Sequence, residues 1–74
     1  MGDRRAVAEQ LGRNLRAQRR RAELSQEELA DRSTLHRTAI GLIERGLREP
    51  RISTVAKLAN ALSIPAMDLL EGIE

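Results

Sequence analysis

The chain has no cysteine, no phenylalanine, tyrosine or tryptophan, one histidine and two prolines among its 74 residues. Each absence removes a class of protein. Without cysteine there is no disulfide framework, and one histidine cannot build a zinc site, so no metal is expected. Without aromatic rings there are no stacking platforms for single strands or for much of RNA recognition. No apolar run is long enough to span a bilayer and no signal-peptide pattern opens the sequence, so the expectation is a cytoplasmic protein with no membrane partner. No nucleophile and base pair, carboxylate pair or phosphate loop is present; neither an enzyme, a cofactor nor a small-molecule ligand is expected. No segment alternates with period two, which leaves all-α as the fold class.

Repeats, low-complexity segments and linkers are also missing, so residues 1–74 read as one domain. A chain this short rarely holds a core by more than about 3–5 kcal/mol without a disulfide, a metal or a partner subunit, and a second copy is the expected support.

What the chain has in abundance is arginine. Residues 1–51 carry 12 of the 13 basic side chains, all arginine, against 8 acidic ones; residues 52–74 carry Lys57 against Asp68, Glu71 and Glu74. Genomic base composition can account for the number of arginines but not for their placement at one end. A guanidinium fork pairs with phosphate or guanine in two-pronged fashion, as lysine does not.

The most informative stretch is Leu24 to Gly46, LSQEELADRSTLHRTAIGLIERG. Ser25 and Glu28 form a capping box, and Leu24 and Leu29 are spaced for a hydrophobic staple around the start of a helix. Leu29 and Ala30 point inward, while Gln26, Glu27, Asp31 and Arg32 fall on the solvated side. A second helix runs from about His36 to Arg45 and ends at Gly46 in a left-handed conformation. It buries Leu35, Ile40 and Ile43. Arg37, Thr38, Gly41, Leu42 and Arg45 share its other face. A merely solvated face would not carry a mid-helix glycine, at a cost of about 1 kcal/mol, beside an exposed leucine. Close approach to another surface explains both; packing of Leu42 on another helix is the competing reading of that residue.

Elsewhere, Val7, Leu11 and Leu15 mark a first helix from Arg5 to Ala22, with residues 1–5 frayed. Ser53 is read as the cap of a fourth helix whose apolar stripe is Ile52, Val55, Leu58, Ala59 and Leu62. Pro65 suits the opening turn of a fifth, bearing Met67, Leu69 and Leu70.

These residues resemble the Cro and lambda-repressor type helix-turn-helix regulators, the XRE family. The resemblance rests on SQEELA at the first motif helix, the inward positions Leu29, Ala30, Leu35, Ile40 and Ile43, and IERG at Ile43 to Gly46. It continues through LREP at Leu47 to Pro50, KLANALSIP at Lys57 to Pro65 and DLL at Asp68 to Leu70. It covers about residues 11–70. Within the family, LHRTAI at Leu35 to Ile40 is most like the small controller proteins of restriction-modification systems. The resemblance implies a compact five-helix domain with the helix-turn-helix formed by helices 2 and 3. It further implies a transcriptional regulator, repressor or activator, acting as a homodimer on a near-palindromic double-stranded DNA operator. Autoregulation and control of a restriction-modification system go with the narrower likeness. A DNA-binding antitoxin, with little chain after Leu70 to wrap a toxin, is the alternative; a protein-interaction module without a DNA role is a third reading.

Carried over residue by residue, the likeness puts Arg37 first for base readout, since arginine can donate twice to guanine O6 and N7. Thr38 can bond a base edge or pack on thymine, Leu42 can do only the latter, and Gly41 brings the backbone near. Gln26, His36, Arg45 and Arg48 are the expected phosphate contacts. A neutral His36 adds no charge, so its loss should barely change salt dependence. Arg19 stands where the family has an arginine paired with the glutamate that is Glu44 here. The dimer surface is expected from the last two helices, with Met67, Leu69, Leu70 and Ile73. The chain departs from the family at Glu23 and Thr34, where glycine is usual at a helix end, at Gln18, usually apolar, and at Ala39, where controllers often have an aromatic. A branched Thr34 is costly in any left-handed conformation.

Overall fold

The computed structural model describes residues 3–73. They form four α-helices and a short 3-10 turn within 33 × 23 × 20 Å: α1 Arg4–Arg21, α2 Gln26–Ser33, α3 Arg37–Glu44, α4 Ile52–Leu62 and the turn Ala66–Leu69. There is no strand among the described residues. The five-helix expectation is corrected: after Pro65 the chain makes only one tight turn, because Asp68 N donates back to the Pro65 carbonyl and Gly72, at φ +80°, comes soon after.

Two helix starts also differ from the sequence reading. The Asp3 carboxylate accepts from the Ala6 amide at 2.7 Å, so α1 begins at Arg4, and Arg4 and Arg5 are helical rather than frayed. An aspartate cap ahead of basic residues satisfies an orphan amide and suits the positive helix end. In α4 the cap position is Arg51, with no side-chain cap bond; Ser53 lies within the first turn, and Ile52 points outward at 83% exposure.

Three helix ends turn left-handed on residues that carry a Cβ: Glu23 at φ +60°, Thr34 at +58° and Ser63 at +56°. Each gains back-bonds that cap orphan carbonyls. After α4, for instance, Ser63 N donates to Asn60 O and Ile64 N to Ala59 O.

The core is aliphatic throughout. Leu15, Leu29, Ile40, Ile43, Leu58 and Leu69 are all but completely buried, and between them they come from all four helices and the final turn. Leu69 was expected at a dimer surface. At 1% exposure it is core, because the tight turn folds it inward while leaving Met67 and Leu70 outside. The Asn14 side-chain amide holds that turn onto α1 by donating to the Leu69 and Glu71 carbonyls at 2.9 and 2.8 Å. Where α1 crosses α3, Gly12 permits the approach: a Cβ there would run into the Ile43 carbonyl oxygen.

Candidate nucleic-acid interface

Local sequence sets the first motif helix. Ser25 Oγ accepts from the Glu28 amide at 3.0 Å and the Ser25 amide donates to Glu28 Oε1 at 2.8 Å; Leu24 and Leu29 are buried on either side of this cap. The backbone and hydroxyl donors at Ser25 hold the Glu28 carboxyl below the usual carboxylate range. At the other end Thr34 takes the left-handed conformation, and Leu35 N donates to Ala30 O, which turns the chain sharply into α3. Ser33 is buried in this corner, its hydroxyl donating to Leu29 O at 2.7 Å.

α3 is anchored by Ile40 and Ile43, at 0% and 1% exposure, with Leu35 packed beside them. It closes on Gly46 at φ +73°, where Gly46 N donates to Ile43 O and Leu47 N to Leu42 O. What remains outward is one edge. Arg37, Thr38, Gly41 and Arg45, with Gln26 from the start of α2, line a shallow depression of about 240 Å³. Arg37, Thr38 and Arg45 are exposed, whereas Gly41 and Gln26 are half-buried. Arg45 folds back, its Nε donating to the Gly41 carbonyl at 3.2 Å. Arg37 Nη1 lies 3.5 Å from Glu27 Oε1, a contact the sequence reading did not foresee.

Gly41 is informative because the fold does not need it. A Cβ built there would meet nothing closer than Gln26 Oε1 at 3.8 Å, an ordinary contact. This contrasts with Gly12, which no larger residue could replace without moving a helix. A glycine here costs helix propensity, and no contact within the chain requires it.

Not every expected site residue joins this depression. Leu42 is half-buried and does not line it; Arg48 is exposed but borders a separate hollow with Leu35, Ala39 and Pro50. His36 is the exposed cap residue of α3 and makes no side-chain cap bond. Met67 and Leu70 are exposed at 78% and 40%, and Ile73 is half-buried against the core.

Behind the edge lies a buried ion cluster. Glu44, whose side chain is fully buried, accepts from Arg19 Nε at 2.6 Å and Nη2 at 3.0 Å, from Gln26 Nε2 at 3.1 Å and from Arg16 Nε at 3.4 Å. Arg19 also donates to the Leu24 carbonyl at 2.8 Å. Burial pushes the Glu44 carboxyl up, but the hydrogen bonds and charge of Arg19, with Gln26 and Arg16, outweigh it and leave the group below the ordinary carboxylate range. The same bond to Glu44 raises the Arg19 guanidinium against the opposing effect of burial. One carboxylate thus ties α1, the start of α2 and the end of α3 into one unit. Arg16 and Gln26 were not expected in it. Their spacing carries no local signature, since they meet Glu44 only through the fold.

Among the described residues no group of acidic, histidine or cysteine side chains could hold a metal, and no helix is long and apolar enough to cross a membrane.

Residues 15–69 match the helix-turn-helix family HTH_3. The chain is 43% identical over 70 residues to the control protein C.SmaI of Serratia marcescens, covering 92% of this chain and 83% of that one. It is 41% identical over 51 residues to the control protein C.BamHI of Bacillus amyloliquefaciens, covering 69% and 63%. Among solved structures, the restriction-modification controller protein C.AhdI from Aeromonas hydrophila superposes with a TM-score of 0.84 at 41% identity, over 86% of this chain and 97% of that one.

Proposed function

The chain belongs to the helix-turn-helix family HTH_3, in the XRE group, and on that premise we propose that it is a sequence-specific regulator of a restriction-modification system, binding a near-palindromic duplex operator as a homodimer. The observation that carries this reading is the outward edge of α3. Arg37 and Thr38 stand exposed at its N-terminal end, and Gly41, one turn on, keeps the backbone bare although the fold leaves room for a side chain. A recognition helix reads base edges from its N-terminal residues, and an arginine there donates to guanine O6 and N7. Arg37 and Thr38 are assigned to base edges, Gly41 to close approach and Leu42 to a thymine methyl. Gln26, His36, Arg45 and Arg48 are assigned to phosphates, which set register without reading sequence. Gln26 can serve while bonded to Glu44, because only one of its amide hydrogens is engaged there.

Met67 and Leu70, exposed apolar side chains in and just after the final turn, support self-association, and Ile73, half-buried against the core, is assigned to the same surface. Two copies related by a two-fold axis would read half-sites about 34 Å apart. Likeness to the two control proteins and to C.AhdI supports the biological assignment, and control of the protein's own promoter is part of it.

Selection from a random duplex pool, followed by footprinting on the gene's own promoter, tests the reading. A single near-palindromic motif, also present upstream of the gene, is the expected result. No enrichment of any duplex would refute it, and a strict monomer on DNA by sedimentation would refute the dimer. A neighbouring endonuclease and methyltransferase gene pair is expected beside the gene.

A further inference from the structure

We propose that Glu27 is a specificity-determining positioning residue: it orients the Arg37 guanidinium for guanine and penalises its use on phosphate. This rests on the reading of α3 as the base-reading helix. Glu27 belongs to α2 and lies on that helix's solvated side, yet its Oε1 faces Arg37 Nη1 at 3.5 Å while both side chains stay largely exposed, at 72% and 66%. Arg37 stands between two depressions. One is the edge shared with Gln26, Thr38, Gly41 and Arg45; the other is an acidic flank containing Glu27 and Asp31.

A guanidinium presents its donors in a rigid planar fork. With Nη1 turned to Glu27, the edge formed by Nε and Nη2 is the one left to donate in parallel to guanine O6 and N7. Part of the rotamer freedom that a long side chain loses on binding is already restricted in the free protein. A phosphate competes with the Glu27 carboxylate for the same charge and is repelled by it, whereas a guanine can take the free edge with the pair intact. Glu27 therefore raises the ratio of specific to non-specific binding more than it raises affinity. A carboxylate in the first turn of α2 also favours that helix through its dipole, but this effect has no preference among bases.

The test uses the duplex selected by the wild-type protein and its full set of single base-pair substitutions, with binding measured at one salt concentration for wild type, Glu27→Gln, Arg37→Ala and the double variant. Arg37→Ala should abolish the guanine preference at one base pair of each half-site. Glu27→Gln should lower that same preference about two- to fivefold, the range an exposed ion pair can carry. It should also tighten binding to a random duplex, leave preferences at other positions unchanged, and add nothing in the Arg37→Ala background. If Arg37→Ala acts as stated but Glu27→Gln leaves the preference unaltered, or weakens every position alike, Glu27 serves only its own helix and the inference is overturned while the reading of α3 stands. If Arg37→Ala leaves the whole pattern unaltered, the recognition-helix reading fails and the inference with it.

Discussion

Replacing Glu44 with glutamine tests the link between the buried cluster and the stability of the recognition helix. The carboxylate accepts four hydrogen bonds from three side chains, at 2.6, 3.0, 3.1 and 3.4 Å, and its side chain has no exposed surface. Glutamine keeps the shape but removes the charge and turns an NH₂ group towards donors. Arg19, half-buried with its side chain 13% exposed, then lacks its counter-charge. Breaking a buried pair from one side costs about 3–5 kcal/mol. A single core of this size rarely supplies more than about 3–5 kcal/mol, so Glu44→Gln should lie near its unfolding midpoint at neutral pH. Urea titration monitored by helical circular dichroism measures the loss directly. The pH dependence adds a sign. The Glu44 carboxyl is held below its ordinary range in the folded state, while in the unfolded chain it titrates at its ordinary value. Its stabilisation is therefore present above the unfolded value and is lost as pH falls through the folded one. Glu28, also held low, contributes an acid loss to both proteins, which cancels in the comparison. The gap between wild type and Glu44→Gln should be widest near neutrality and should narrow in acid. A loss below about 1 kcal/mol at neutral pH, against the cost of breaking a buried pair, would refute the reasoning. So would a gap that stays constant into acid.

Thr34→Gly should raise stability by about 1 kcal/mol, seen as a thermal midpoint a few degrees higher, because a branched residue occupies φ +58°; an unchanged or lower midpoint would show that the turn is not strained. Gly12→Ala should cost about 1–3 kcal/mol despite alanine's better helix propensity, since a Cβ would overlap the Ile43 backbone oxygen, which cannot swing aside. Leu69→Ala should lower stability by about 2–5 kcal/mol, as expected for a leucine at 1% exposure. Met67→Ser with Leu70→Ser should instead weaken self-association in sedimentation while leaving the helical signal of the monomer intact. Equal behaviour of the two replacements would erase the distinction drawn between core and surface in the last turn.

The parts of this fold that are written locally were legible from the sequence, and those made by distant approach were not. The Ser25 and Glu28 capping box, the Leu24 and Leu29 staple and the left-handed Gly46 each depend on residues within a few positions of one another. Helical spacing also placed Arg37, Thr38, Gly41 and Arg45 together on one edge of α3, but it added Leu42, which the structure leaves half-buried and outside that edge. Leu69 was misplaced because three apolar residues within four positions cannot all share a face, and a 3-10 turn chooses differently from an α-helix. Ser53 was misread as a cap because the cap residue is Arg51, whose side chain makes no cap bond. Asp3 was overlooked as a cap ahead of a basic run. Gly12 carries a signal that could have been read: a glycine within a helix is costly unless something comes close. The contacts of Arg16 and Gln26 with Glu44, and of Glu27 with Arg37, span separate helices and no spacing rule reports them.

The central claim is that α3 enters the major groove with Arg37 on a guanine. A structure of the protein bound to its selected duplex measures this most directly. Two copies should occupy one operator, each with the Arg37 guanidinium within about 3.2 Å of guanine O6 and N7 and with Gly41 against the groove floor. A complex in which α3 lies outside the major groove, or in which Arg37 meets only phosphate oxygens, would contradict it.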